Sequence, residues 1–420
     1  MRILMLTQWF HPEPNFKGLP LAVELYRRGH EVEVLTGFPN YPSGKVYDGY
    51  SIKLWQRETL EGIKINRVAL YPSHNSSGIL RILNYLSFSF MTLLVGPWII
   101  QNKPDVVYVY NLATLSRTAS FLRWLYGCKI VYDVQDLWPD SITSSGMVPD
   151  LGRFNIFFDK WSLKAYQRAD FLIVQSPGFQ KILNKRGIEG QKIKIVYNWS
   201  LEETTKNELT DTDLGKIMRP KHGNTYNVVY AGTMGPMQGL ETILESAKLL
   251  SNEQKTIRFF FIGDGIRKNE LQKKCRDMTL ANICFLPRQP ATSMTTIYNY
   301  SDVLVVHLKK NHLFKITIPS KTQAYLSAGK PIVMAVEGDA ADLVKQAGAG
   351  LACQPDDPSA MANCIRKLCN LSHEERMLFG KKGHSFYKEQ LSFMTGVDKM
   401  ELIFNNTIKS KDYISLKEKK

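Results

Sequence analysis

Short apolar runs alternate with segments of helical length along almost the whole chain. Met1 to Phe10 reads as a strand, and Leu21 to Arg28 places Leu21, Leu25 and Tyr26 on one side of a helix that Gly29 ends. Glu31-Val32-Glu33-Val34-Leu35 then alternates as a half-buried strand does, which completes a strand-helix-strand unit. Further apolar runs at 105–110, 128–134, 171–174 and 193–198 are separated by helix-length stretches. That alternation predicts a parallel sheet covered on both faces. From Leu201 to Thr225 the chain turns polar and carries Pro220 and Gly223, as a junction does. The alternation resumes at 228–232, 258–265, 283–286, 302–306 and 332–336. The expected fold is therefore α/β, with two doubly wound, Rossmann-like parallel-sheet domains at 1–200 and 226–390. Residues 201–225 would link them, and 391–420 would form a C-terminal segment whose basic end, Lys409 to Lys420, is frayed.

One stretch breaks the rhythm. Ile79 to Ile100 is apolar over most of its length but is interrupted by Ser87, Ser89, Thr92, Gly96 and Pro97, short of an uninterrupted membrane span. It fits either a helix buried against the sheet or an interfacial helix with its aromatic face in a bilayer.

At 420 residues the chain exceeds what one hydrophobic core usually serves. Its 44% hydrophobic and 22% charged residues are ordinary for a globular protein, whereas a formal net charge of +15 favours polyanions, phosphate-bearing substrates or an anionic membrane surface. Nucleic acid is disfavoured, because the basic residues form no aromatic-interleaved strand motif or recognition helix. The six cysteines include no CxxC pair and no neighbouring His, which points to a reduced, cytoplasmic protein without a structural metal. Arg2 to Leu6 is too short for a signal-peptide core and reads as a first strand.

The candidate chemistry gathers where strands end. In Ile318 to Pro331, Ser320 reads as a helix N-cap, with Gln323 as its capping-box partner and Gly329 as the left-handed stop. Free N–H groups at Ser320, Lys321 and Thr322, together with the Lys321 ammonium, would seat a phosphate; the plain alternative is an ordinary capped surface helix. Gly232-Thr233-Met234-Gly235-Pro236 is a strand-to-helix turn with Gly235 as cap, in the place that Gly18 holds in the first half. The loop around Gly18 lacks GxGxxG, so a standard dinucleotide site is not expected. Lys309, Lys310, Lys315 and Lys321 flank Leu313-Phe314; they form either a diphosphate cradle beside a Phe314 segment offering backbone to a sugar, or a solvated loop. Asp133 to Asp140 is dense in carboxylates beside Trp138-Pro139, with Asp136 the favoured reacting-centre carboxylate and His11 a second candidate. Asp133 or Asp140 would equally serve as a helix cap.

Several motifs in this order resemble the retaining GT-B glycosyltransferases of family 4 (group 1), in their bacterial O-antigen and capsule branch, fucosamine-transferase-like. They are Arg28-Gly29-His30-Glu31-Val32, Asp136-Leu137-Trp138-Pro139, Val196-Tyr197-Asn198-Trp199, Tyr230-Ala231-Gly232, Gly263-Asp264-Gly265 and Pro319-Ser320-Lys321 through Ala328-Gly329-Lys330-Pro331. The resemblance implies a metal-independent hexosyl transfer, without cofactor, from a nucleotide diphosphate sugar to an acceptor on the N-terminal domain, across a cleft that the two domains face. The donor would be a UDP-linked N-acetylated deoxy sugar and the acceptor an undecaprenyl-diphosphate-linked saccharide. The donor base would lie near Arg288, the diphosphate at Ser320, Lys321, Thr322 and Lys309, and Gly18, Gly232 and Gly235 would allow close approach. The place of work would be the inner face of the bacterial inner membrane, and both the resemblance and the charge favour the interfacial reading of Ile79 to Ile100. Ile316 and Ala324 stand where the family carries its usual glutamate pair, and Thr233 and Gln238 where it often carries a basic pair. A nucleotide-sugar epimerase, or a binding scaffold that has lost catalysis, are the alternative functions.

Overall fold

The computed structural model describes residues 1–73, 78–137, 153–200, 217–218 and 225–417. It divides into two compact units, Met1–Val196 with Val397–Lys420, and Tyr197–Gly396. Residues 397–420, set apart from both domains in the sequence-based division, thus belong to the first unit.

The first unit is built on β1 (Arg2–Leu6), β2 (Glu31–Gly37), β3 (Trp55–Leu60), β4 (Ile63–Val68), β5 (Val106–Tyr110), β6 (Lys129–Val134), β7 (Phe171–Val174) and β8 (Ile193–Ile195). Its helices are α1 (Leu19–Arg27), α2 (Gly78–Ile99), α3 (Ser116–Tyr126), α4 (Arg153–Arg168) and α5 (Pro177–Lys185). The strands pair in the order β3-β4-β2-β1-β5-β6-β7-β8, all parallel except the edge strand β3. Strands β1, β5 and β6 are buried nearly throughout, so they read as apolar runs, whereas β3 alternates exposed and half-buried positions. The β3–β4 hairpin went unread in the sequence; its signal is the two-residue Glu61-Gly62 turn, both residues at positive φ.

The second unit carries β9 (Thr225–Ala231), β10 (Thr256–Ile262), β11 (Ile283–Leu286), β12 (Val303–His307), β13 (Ile332–Ala335) and β14 (Gly350–Ala352). Its helices are α6 (Glu241–Leu249), α7 (Lys268–Asp277), α8 (Ala291–Asn299), α9 (Ser320–Ala328), α10 (Asp339–Gln346), α11 (Pro358–Asn370) and α12 (His373–Gln390). Its sheet is parallel throughout, in the order β11-β10-β9-β12-β13-β14. In each unit the chain reverses direction across the sheet beside its first strand, between β1 and β5 and between β9 and β12. A crevice outside the carboxyl ends of such strands is where doubly wound sheets bind ligands.

Three local expectations change. Pro319, not Ser320, is the N-cap of α9, and Ser320 is its first helical residue. Proline has no N–H for Gln323 to accept, so the capping box cannot form; the Gln323 amide instead turns back to donate to the carbonyls of Pro319 at 2.7 Å and Ser320 at 3.1 Å. The basic end of the chain does not fray at Lys409, because α13 (Phe393–Lys417) runs through it. This helix is anchored where Arg28 pairs with Asp398 and Glu401 and the Phe404 ring meets Tyr108 edge-on. Finally, α2 is neither wholly buried nor wholly free. Asn84, Phe88, Thr92 and Val95 are buried, while Ile79, Leu83, Leu86, Phe90, Leu94 and Trp98 are exposed. The helix is long and apolar enough to cross a membrane by length and composition alone.

Candidate functional site

Two sets of candidate residues emerge, one in each unit. In the first, His11 and Gly18 lie in the loop after β1, and Asp136 lies in the loop after β6. Asn111, just past β5, holds Asp136 from both sides: its Nδ2 donates to the carboxylate at 2.9 Å, and its Oδ1 accepts the Asp136 N–H at 3.1 Å. Asp136 reaches solvent, yet the protein packed around it pushes its carboxyl above the ordinary range, against the Asn111 bond. The His11 ring is exposed, and its carbonyl accepts from Arg67 at 2.5 Å. Gly18 is buried at the N-cap of α1, where an added Cβ would meet the Asn15 carbonyl at 3.1 Å. Trp138, Pro139 and Asp140 lie outside the described residues.

The loop is fixed by Lys17 and Glu13, which the sequence did not single out. Lys17 is completely buried and pairs with Asp133 at 2.7 Å; Asp133 also accepts from Tyr108 Oη at 2.7 Å and from the Gln135 amide. Asp133 is therefore a buried counter-ion and not a helix cap. Glu13, also buried, accepts the N–H groups of Phe10, Asn40 and Tyr41 at 3.3, 2.6 and 2.7 Å. Burial pushes its carboxyl up to about 7 against those bonds. The available signal was that Glu13 and Lys17 are the two formal charges in the passage from β1 to α1.

The second unit assembles around Gly232, at φ +143° just past β9. A Cβ there would lie 2.4 Å from Lys321 Cε and 2.6 Å from its Nζ, so glycine makes room for the lysine stem. The Lys321 ammonium sits 4.9 Å from the centroid of the Tyr230 ring, and Tyr230 Oη donates to the Thr233 carbonyl at 2.5 Å. Among the described residues no carboxylate pairs with Lys321, and burial lowers its pKa to about 8. Next to it Thr322 is fully buried, and its Oγ1 has no hydrogen-bond partner among the described residues. Thr322 N–H bonds the Pro319 carbonyl at 2.8 Å, contrary to expectation, which leaves Ser320 and Lys321 at the start of α9 without intrahelical acceptors. Ser320 is exposed.

The remaining residues divide. Gly235 caps the turn Pro236–Gln238, its N–H donating to Gln238 Oε1 at 3.0 Å. His307 at the end of β12 locks that turn, with Nδ1 bonded to the Gln238 carbonyl at 2.7 Å and Nε2 accepting the Asp356 N–H at 3.0 Å. That pattern fixes the neutral ring, and burial lowers its pKa. The Lys309 side chain is exposed beside Gly239, while its N–H bonds the Met237 carbonyl at 2.9 Å. Lys315 pairs with Glu337 at 2.9 Å and is a weaker source of spare charge than Lys321. Phe314 packs against the hydrophobic core, Arg288 is exposed in the loop after β11, and Ala324 is buried in the core. Lys321, Gly232, Ser320 and Thr322 thus come together, while Arg288 follows a different strand, β11. No group of three His, Cys, Asp or Glu side chains among the described residues could hold a metal.

The two sheets match two family profiles. Residues 19–199 match the profile described as "Glycosyl transferase 4-like domain" and residues 217–386 match "Glycosyl transferases group 1". The chain carries two glycosyltransferase domains. Its fold is GT-B. This glycosyltransferase chain is 27% identical over 264 residues to WbjE of Pseudomonas aeruginosa, named as a glycosyltransferase, a match covering 62% of the chain and 65% of the relative's length. It is 26% identical over 350 residues to WcaI of Escherichia coli K12, named for colanic acid biosynthesis, covering 80% of the chain and 84% of the relative. Among solved structures, Anabaena HepE in complex with UDP-glucose superposes with TM-score 0.66 at 14% identity, covering 98% of this chain and all of that one.

Proposed function

We propose that the protein transfers a sugar, with retained anomeric configuration, from a UDP-linked N-acetylated deoxy sugar to a lipid-linked saccharide during assembly of a bacterial surface polysaccharide. The reading rests on Lys321: a half-buried ammonium with no carboxylate partner among the described residues, at the start of a helix and beside the buried Thr322 hydroxyl, which has no hydrogen-bond partner among them either. Such a group is costly unless an anion arrives, and a nucleotide diphosphate supplies one. The HepE complex supports UDP as the nucleotide, and WcaI supports a polysaccharide product. In the reaction the acceptor hydroxyl forms a bond to the anomeric carbon as the bond to the diphosphate breaks, and the hydroxyl proton leaves with the diphosphate. Lys321, the first N–H groups of α9 and Lys309 take up the developing charge. Asp136, held by Asn111, orients the acceptor in the first unit, with His11, in the loop after β1, as a second candidate. Neither metal nor cofactor is needed, and the acceptor's lipid places the enzyme at the cytoplasmic face of the inner membrane.

The test is release of free UDP from a panel of UDP sugars, with and without a membrane extract carrying lipid-linked saccharide. Release that requires one donor and the extract together is expected. Release from a donor without acceptor would replace the transferase with an epimerase or hydrolase. UDP binding without any release would favour a non-catalytic scaffold, the reading to which the buried Ala324 lends support.

A further inference from the structure

Glu13, in the loop after β1, is 4% exposed and has no place in the donor chemistry at Lys321. Its Oε1 accepts the N–H groups of Asn40 and Tyr41 from the loop after β2, and its Oε2 accepts the Phe10 N–H of its own loop. One side chain thus laces two loops together at the carboxyl edge of the sheet, the edge on which Asp136 stands. Arg67 of β4, the cation that acts on Glu13, is completely buried but engaged elsewhere: with Glu58 of β3 at 2.6 Å and with the Gly37 and His11 carbonyls. The carboxylate is therefore held by N–H dipoles more than by a counter-charge, which is why burial can push it up to about 7. The other titratable groups around it are Tyr41 and Tyr47 in the loop after β2, joined by a bond from Tyr47 Oη to the Tyr41 carbonyl at 2.8 Å, and on its own loop the exposed His11 and Lys17, which Asp133 neutralises.

The two laced loops carry aromatic rings. Trp9 meets Tyr41 edge-on at 6.2 Å between centroids, and it meets Tyr85 of α2 edge-on at 5.9 Å. All three rings are half-buried. The Asn15 amide donates to the Trp9 carbonyl at 2.8 Å, which ties Trp9 to the Glu13 loop. Asp136 and Tyr41 both act electrostatically on Tyr85 and on Tyr110, so the cluster stands beside the carboxylate assigned to the acceptor. Aromatic surface next to a convergent polar group suits a saccharide, whose apolar ring face rests on the aromatics while a hydroxyl reaches the carboxylate.

We infer that Glu13 is a positioning residue for the acceptor: as a carboxylate it sets Trp9 and Tyr41 against Tyr85 as the wall on which the acceptor saccharide rests, and on protonation it releases that wall. The inference deepens the proposed function and rests on it for the acceptor's place in the first unit. Protonation takes the charge out of the bonds to Phe10, Asn40 and Tyr41. Glu13→Gln does so permanently, and with its oxygen toward Asn40 and Tyr41 its amide meets the Phe10 N–H donor against donor. The first arm of the test needs neither donor nor acceptor. In the amide NMR spectrum of the full-length protein, the Asn40 and Tyr41 signals should titrate together with a midpoint near pH 7 and stay still in E13Q, whose other signals keep their positions if it folds. The second arm measures UDP release at a saturating level of the UDP sugar that supports it, against a dilution series of membrane extract carrying lipid-linked saccharide. About one pH unit below the midpoint, wild-type protein should need about fivefold to tenfold more extract for half-maximal release than one unit above it. E13Q should need the larger amount at both, with donor KM unchanged. Should E13Q fail to fold, wild-type protein decides, because the extract requirement must shift with the midpoint of the amides. Amides that do not titrate, or a pH effect that E13Q retains and that therefore belongs to Asp136 or His11, overturn the inference. If wild-type protein releases nothing at any pH the transferase reading fails, and the clamp stands or falls on the amide titration.

Discussion

Both units bring a lysine to the loop beside the first strand of their sheet, and they treat it in opposite ways. Lys17 in the first unit is fully buried against Asp133, with Tyr108 and Gln135 filling the remaining acceptor positions. Lys321 in the second faces an aromatic ring and no carboxylate among the described residues. A cation neutralised from within fixes a loop; a cation left over can be neutralised by a ligand. Burial alone does not mark a binding lysine. The absence of an internal counter-charge among the described residues is what makes Lys321 the proposed one.

The comparison breaks first at Lys17. Lys17→Met strands the Asp133 carboxylate in the core and should cost about 3–5 kcal/mol. Calorimetry should show the loss in the transition of the first unit, and pairing the change with Asp133→Asn should recover about 2 kcal/mol. Lys321→Met should do the reverse. Its stability should hold within about 1 kcal/mol or rise, because a half-buried charge without an internal counter-charge is removed, while UDP affinity by titration calorimetry drops about 30- to 100-fold. Loss of stability with unchanged affinity would make Lys321 a structural residue.

Proton linkage sharpens the contrast. The pKa of Lys321 is lowered to about 8 in the folded chain from an ordinary 10.5, so between those values the unfolded chain binds more protons and stability should rise with pH. UDP affinity should fall across the same window, up to about tenfold per pH unit, because the ligand needs the ammonium. Lys321→Met should flatten both slopes. The smallest effect is expected at Thr322→Val: stability within about 1 kcal/mol, since Oγ1 has no partner to lose among the described residues, and UDP affinity down about fivefold to tenfold.

Much of this fold was legible because parallel strands buried on both faces leave short apolar runs, and β1, β5, β6, β9 and β12 are such strands. The β3–β4 hairpin was not, since an edge strand open to solvent, such as Trp55–Leu60, lacks that run. The start of α9 was displaced by one residue because Ser320 carries the expected cap side chain, while the backbone places the cap at Pro319. Four lysines near Phe314 looked alike in sequence; Glu337, which occupies Lys315, comes from beyond the next strand, and no local pattern announces it. The same holds for Lys17 and Asp133, 116 residues apart. Pairing of charge is a tertiary property, and it decided which candidates remain available.

Because Val397–Lys420 completes the first unit, the chain passes between the units twice, and the second unit is an insertion within the first. Where it closes, Gly396 lies so near Trp199 that a Cβ would sit 2.5 Å from the indole. On the ribosome, residues 197–396 emerge whole before the helix that pairs Arg28 with Asp398 and Glu401 has been synthesised. The half that emerges first is thus the last to be completed, and a message truncated near its end would yield a finished second unit on an unfinished first.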